Sequence, residues 1–161
     1  MNFNAGLLES YKNLVQTTSL ADGYREFVRL FRFLRAQLEK EMPDYQFQGN
    51  IVENAMDYSY FQFSDQALKS RGLKIVVVFI HKQFRFEIWL SGVNRSNQKR
   101  FHDLLAGQYG PFLPAENPER MDFILRAPLP ENWDMTDGDA MVSALKEKSL
   151  ALIDWAERKM E

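Results

Sequence analysis

The sequence feature that most constrains the fold is the apolar run IVVVFI, residues 75–80. It is apolar at consecutive positions, which is typical of a central strand covered on both faces. Val76 and Val78 should therefore be as buried as the alternate set, Ile75, Val77 and Phe79. The reversal that follows, around Lys82 and Gln83, lacks the positive-φ residues of a two-residue turn, so we expect a longer loop.

The segment after this reversal alternates, and it predicts the partner strand of a hairpin. The predicted core face holds Phe84, Phe86, Ile88 and Leu90, and the opposite face holds Arg85, Glu87, Trp89 and Ser91. We expect Arg85 or Arg95 within ion-pair reach of Glu87. Trp89 should be covered, since an exposed indole would form an apolar patch that promotes association. A terminal helix or a second subunit is favoured over a ligand.

The remaining periodicity predicts an α+β domain spanning residues 1–161. Two helices precede the sheet, Asn94 caps a helix after the hairpin, and a C-terminal helix covers about 139–160. Two further strands are predicted in YQFQGNI and MDYSYFQFS, and a helical turn or loop in DQALKSRG separates them from the hairpin. Together the strands form a four-stranded antiparallel meander with the C-terminal helix packed on it. MDFILRA predicts a fifth strand, at an edge because Pro128 follows it.

Composition excludes several classes of protein. The net charge is −2, which gives no field to attract nucleic acid or anionic lipid, so we expect neither partner. There is no cysteine, which excludes disulfides and thiolate chemistry. The N-terminal residues lack a signal-peptide pattern, and no apolar stretch approaches the ~20 residues of a membrane helix. We therefore expect a cytoplasmic protein.

Motifs for common chemistries are missing from the sequence. The two histidines, His81 and His102, form no HExxH pair, so we expect no metal site. No glycine-rich phosphate loop and no GxSxG elbow are present. P-loop, Rossmann and serine-hydrolase activities are therefore not expected, and no cofactor is predicted.

Two carboxylates within the predicted strands, Asp57 and Glu87, are the best catalytic pair. Strand acids followed by a lysine hold magnesium in restriction-enzyme nucleases, but Glu87 precedes Ile88 and Trp89 instead. The plainer interpretation is an exposed or half-buried ion pair worth about 0–1 kcal/mol.

A ligand surface is the other interpretation of this face. An aromatic plane beside a carboxylate and a guanidinium suits a small polar ligand or a peptide end. The predicted ligand-binding residues are Asp57, Tyr60, Glu87, Trp89, Asn94 and Arg95.

Several segments together resemble an uncharacterised bacterial family of about this length, known only as a domain of unknown function. They are YREFVRLFRFLRAQLEKE, MPDYQF, MDYSYFQFS and LKIVVVFIHKQFRFEIWLSGVNRSNQ. The resemblance covers roughly residues 20–105, and FRFEIWLSGVNR is its most specific part. It implies a compact bacterial cytosolic domain and carries over no catalytic residue.

Two classes of function follow from these patterns. The first is a non-enzymatic module that binds a small molecule or a protein, with a homodimer formed through the aromatic sheet face. The second is a small enzyme, such as a degenerate restriction-endonuclease-like fold, with its site near Asp57, Glu87, Trp89 and Arg95. A binding module should bury its aromatic side chains in a partner and leave the two carboxylates in solvent, whereas an enzyme should bring them together in a pocket of roughly 300 Å³ or more.

Overall fold

The computed structural model describes residues 1–131 and 133–160. Its helices are α1 (Ala5–Thr17), α2 (Leu20–Glu41), α3 (Gln66–Arg71), α4 (Arg95–Leu104) and α5 (Gly138–Met160). Its strands are β1 (Gln46–Asn54), β2 (Tyr58–Ser64), β3 (Leu73–Ile80), β4 (Arg85–Gly92), β5 (Leu113–Pro114) and β6 (Leu125–Pro128). None of the described helices combines the length and apolarity needed to cross a membrane.

The strands form one antiparallel sheet in the order β1-β2-β3-β4-β6-β5. The predicted α+β class and the four-stranded meander are confirmed, and β6 and β5 extend the sheet beyond β4. The helices α2 and α5 pack on one face, where Leu34 and Leu152 join Phe61, Val77 and Ile88 in one hydrophobic cluster. Alternation along the strands leaves the other side chains on the second face of the sheet.

The central-strand prediction for β3 is confirmed. Val76 is 6% exposed and Val78 1%, against 0% for Ile75, Val77 and Phe79. Val76 and Val78 lie on the second face, opposite Trp89 and Glu87 of β4. Both faces of β3 are therefore buried, although α2 and α5 pack on only one.

One expectation near the end of the sheet was wrong. β6 is not an edge strand, because β5, only two residues long, pairs with it at Leu125 and Arg126. β5 lies within a segment that lacks a strand pattern. Pro128 is still tolerated because it lies beyond the residues that pair with β5.

Phe84 was also misplaced by the alternation argument. Residues 81–84 form the turn between β3 and β4, in which the Phe84 N–H donates to the His81 carbonyl at 3.1 Å. Phe84 has φ of +49° and is 64% exposed. The reversal is longer than two residues, as expected, and it removes Phe84 from the core face.

Candidate functional site

The second face of the sheet is built from residues that oppose one another across neighbouring strands. The register aligns Tyr60, Val78 and Glu87 across β2, β3 and β4, and it aligns Val76, Trp89 and Arg126 across β3, β4 and β6. Aromatic, aliphatic and charged side chains therefore alternate on one surface.

Glu87 is the buried centre of this face, with 0% of its surface exposed. Its Oε1 accepts hydrogen bonds from Arg85 Nε at 3.0 Å, Arg85 Nη2 at 2.7 Å and Arg126 Nη1 at 3.0 Å. Its Oε2 accepts from Trp89 Nε1 at 2.7 Å. The predicted pairing with Arg85 is present, but the pair is not the weak surface contact that the sequence suggested, because a carboxylate without solvent must be fully satisfied by the protein.

Trp89 is half-buried and is held on two sides by other aromatic rings. Its ring centroid lies 5.1 Å from that of Phe123 and 6.4 Å from that of Tyr58. The favoured covers of Trp89 were a terminal helix or a second subunit. The C-terminal helix packs on the opposite face, so it does not cover Trp89. The bond to Glu87 and these rings fix the plane of the indole.

A cleft of about 340 Å³ opens beside Trp89 on the second face. Tyr58 and Tyr60 of β2 form one wall, and Lys74 and Val76 of β3 contribute the middle. The far end is formed by Gly92, Val93, Asn94, Arg95, Gln98 and Asp122. The lining thus combines aromatic surface with a small number of polar groups, as small-molecule sites do.

Lys74 is the half-buried cation of the cleft. Its Nζ donates to Gln62 Oε1 at 2.8 Å. Burial of the amine lowers the pKa of Lys74 from its usual 10.5, and the carboxylate of Asp122 partly opposes this shift. Across residues 1–131 and 133–160, no carboxylate lies within ion-pair distance of this amine, so its charge is incompletely compensated.

The beginning of α4 closes the cleft, and Asn94 and Gln98 fix its position. Asn94 Oδ1 accepts the Asn97 N–H at 2.9 Å, which confirms the predicted helix cap. The buried Gln98 side chain accepts the Gly92 N–H at 2.8 Å and donates to the Met121 carbonyl at 3.0 Å. A Cβ on Gly92 would lie 2.5 Å from the Gln98 backbone nitrogen, so only glycine allows β4 to approach α4 this closely.

The structure brings together four of the six predicted site residues. Tyr60, Trp89, Asn94 and Arg95 line the cleft, and Glu87 supports it through its bond to Trp89. Arg95 pairs with Asp122 at 2.6 Å rather than with Glu87.

Asp57 lies elsewhere: it is an exposed residue of the β1–β2 turn rather than of a strand, and it is not part of the cleft lining. Tyr58, Lys74 and Asp122 also line the cleft, although they were not among the predicted site residues. Alternation of MDYSYFQFS places Tyr58 beside Tyr60, but Asp122 joins the site only through tertiary folding.

The Glu87 carboxylate is poorly suited to bind a metal ion. Four N–H groups already occupy its two oxygens, and a cation would have to displace charged donors. Within the described part of the chain, no group of three or more His, Asp or Glu side chains is arranged to hold a metal. Glu87 is therefore a supporting residue of the second face.

With this geometry established, comparison with known proteins places the chain in a family. The model of a domain of unknown function, DUF7000, matches residues 4–159. The chain belongs to this family. The match extends past the 20–105 region that carried the resemblance and includes α5. No curated protein and no solved structure matches the chain.

Proposed function

We propose that this protein is a non-enzymatic binding module whose cleft takes a small polar ligand with a carboxylate group and a planar apolar part. The observation that carries the proposal is the fixed indole of Trp89 beside the half-buried amine of Lys74 in one cavity. A planar group would stack on the indole and the tyrosine rings. A carboxylate would compensate the lysine.

The electrostatics of the cleft favour an anion. Lys74 carries a charge that burial disfavours, as the direction of its pKa shift indicates, so an incoming carboxylate gains a partly desolvated partner. The positive end of α4 lies at the same cavity. Arg95 is already paired with Asp122, so Lys74 is the cation available to the ligand.

The geometry supports binding over catalysis. The alternative, an enzyme with Asp57 and Glu87 as its acids, needs the two carboxylates to converge. Glu87 is enclosed by Arg85, Arg126 and Trp89, and Asp57 lies in a turn outside the cleft. Neither is placed to donate or accept a proton at a ligand in this cavity.

A bacterial, cytoplasmic setting is part of the same proposal. The chain has no cysteine and therefore no disulfide that would require an oxidising compartment.

The cleft is also the size of a small-molecule site rather than of a protein interface.

The proposal is tested by titrating ¹⁵N-labelled protein with benzoate and phenylacetate, and with benzamide and phenylacetamide as neutral counterparts. The indole N–H signal of Trp89, assigned by its loss in Trp89→Phe, should shift saturably with the carboxylates. For ligands of about ten non-hydrogen atoms we expect dissociation constants of roughly 1 mM or below. The amides should bind at least about tenfold more weakly, which corresponds to ~1.4 kcal/mol.

Lys74→Met tests the role of the amine, because methionine keeps the apolar stem and removes the charge. The variant should lose the preference for carboxylate over amide, whereas Lys82→Met, in the exposed β3–β4 turn, should keep it. Equal affinity for acids and amides in the parent protein would contradict the proposal. So would carboxylate shifts confined to residues outside the cleft.

A further inference from the structure

The first helix is amphipathic, yet none of its residues is buried. Its apolar side chains recur at the spacing of one helix face: Leu7, Leu8, Tyr11, Leu14 and Val15 are 69%, 58%, 62%, 50% and 37% exposed. Asn4 caps the helix by accepting the Leu7 N–H at 3.0 Å. α1 is thus a well-formed helix whose apolar stripe has no partner within the described chain.

A groove of about 1000 Å³ lies at the beginning of α2, away from the ligand cleft. Its apolar lining comes from α2, from the β1–β2 and β3–β4 turns and from the segment before α5: Leu20, Phe27, Leu30, Phe33, Met56, Phe84 and Met135. Its charged members, Glu26 and Arg29, pair with each other at 2.6 Å. Tyr24 and His81 also line the groove. The groove is therefore mainly apolar, and its one carboxylate and one guanidinium compensate each other.

Two exposed side chains in this groove are held by strained turns. Phe84 has φ of +49° and Met56 φ of +59°, a region that bulky residues rarely adopt. They remain 64% and 41% exposed, so burial within the chain does not compensate the strain. Such strain is often kept where it serves a binding surface.

We propose that the groove of one copy receives the α1 helix of a second copy, and that the reciprocal exchange makes a homodimer. The stripe and the groove are both apolar and unpartnered. The charges of α1, Glu9 and Lys12, pair with each other, so neither surface repels the other. This dimer leaves the ligand cleft open and is independent of the proposed ligand.

The connection between α1 and α2 favours exchange over folding back. Only Thr18 and Ser19 separate the helices, and Thr18 is extended, with φ of −127° and ψ of 171°. The Thr18 N–H donates to the Leu14 carbonyl at 3.2 Å, and Thr18 Oγ1 accepts the Leu20 N–H at 3.2 Å. Docking α1 into its own groove would break these bonds, and short hinges of this kind favour swapping.

The area that the exchange buries is sufficient for a stable dimer. Each exchanged segment, or arm, consists of α1 and the preceding Phe3, which is 75% exposed. Covering the apolar stripe and Phe3 removes on the order of 500 Å² of each arm's surface from water. The groove contributes a comparable area, so two arms bury on the order of 2,000 Å², at the upper end of a standard specific interface.

The first test compares Phe84→Asn with the parent protein by sedimentation velocity across a range of concentrations. The parent should be dimeric at micromolar concentration. Phe84→Asn should raise the dimer dissociation constant at least tenfold. Asparagine tolerates positive φ, which offsets the loss of the contact between the Phe84 and Phe79 rings at 5.2 Å, so the variant should remain folded. Leu104→Asn, which replaces an exposed leucine of α4 outside the groove, should leave the dimer unchanged.

The second test uses the lack of cysteine in the chain. Copies carrying Tyr11→Cys are mixed with copies carrying Phe84→Cys and oxidised. A disulfide-linked dimer containing one copy of each supports the exchange. A chain carrying both substitutions that cross-links only within itself would show instead that α1 folds back. A parent protein that is monomeric at all concentrations would also overturn the proposal.

Discussion

Trp89 donates its indole N–H to Glu87 Oε2 at 2.7 Å. A buried carboxylate therefore holds an aromatic ring that lines the cleft. The two residues are two positions apart on β4 and therefore share a face. Glu87 is held in turn by two guanidinium groups, from Arg85 and Arg126. The carboxylate thus links β4 and β6 and sets the orientation of the ring that lines the cleft.

Replacing Glu87 with glutamine should destabilise the protein strongly. The amide of glutamine removes the negative charge that pairs with Arg85 and Arg126. Its NH₂ group would also point at one of the N–H groups that now donate to Glu87. Breaking a buried ion pair on one side typically costs 3–5 kcal/mol, so we expect a loss of about 3 kcal/mol in urea unfolding. Glu131→Gln is the matched control, because Glu131 is 75% exposed and 3.5 Å from Arg85. A loss below about 1 kcal/mol for Glu87→Gln would show that the carboxylate is not needed.

Trp89→Phe isolates the hydrogen bond from the ring. Phenylalanine keeps an aromatic ring between Tyr58 and Phe123 but leaves Glu87 Oε2 without the donor that the structure shows. An unsatisfied buried acceptor costs about 1–3 kcal/mol, and we expect urea unfolding to show a loss in that range. Trp155→Phe is a comparison at a half-buried tryptophan that packs on Phe112. The double variant Glu87→Gln/Trp89→Phe should lose less than the sum of the single losses, because the two residues share one bond.

Asn94→Ala should destabilise the protein by about 1 kcal/mol, the usual value of a helix N-cap. Asn94→Ser is the control at the same position, because serine can accept the Asn97 N–H that Asn94 accepts now. Thermal unfolding of both variants distinguishes the cap from a contact with a ligand. If serine and alanine destabilise equally without ligand, capping is not the contribution of Asn94.

The parts of this structure that follow from local rules could be predicted from the sequence. Val76 and Val78 were expected to be buried because a run that is apolar on both sides suits only a covered strand. Asn94 was expected to cap α4 because its side chain is suited to that position. The α+β class follows from the same alternation and helical periodicity.

The parts that depend on distant residues could not be predicted. Arg126, 39 positions from Glu87, and Asp122 reach the second face only after β6 joins the sheet. β5 is too short to produce a pattern of its own. Phe84 was assigned to the core because alternation ignores turn geometry, and its positive φ places it in the groove instead.

Stability should fall on acidification partly through His81. Its Nε2 lies 3.0 Å from Ser59 Oγ, and its ring packs on Phe27 and Phe79 at centroid distances of 4.8 and 5.0 Å. Burial lowers the pKa of His81 below its usual 6.5, and Asp57 and Glu53 oppose the shift. The folded state therefore binds this proton more weakly than the unfolded state. The stabilising contribution is fully present above pH 6.5 and is lost as the pH falls through the folded pKa.

His81→Gln removes this titration and keeps a side chain able to bond Ser59. Between pH 6.5 and the folded pKa, the parent should lose stability more steeply than the variant, by at most about 1.4 kcal/mol per pH unit for one proton. Between pH 7.5 and 8.5 the difference between the two proteins should be constant, because neither state of His81 is protonated there. Urea midpoints measured across both ranges give the comparison. Parallel curves throughout the acidic range would show that His81 has the same proton affinity in the folded and unfolded chains.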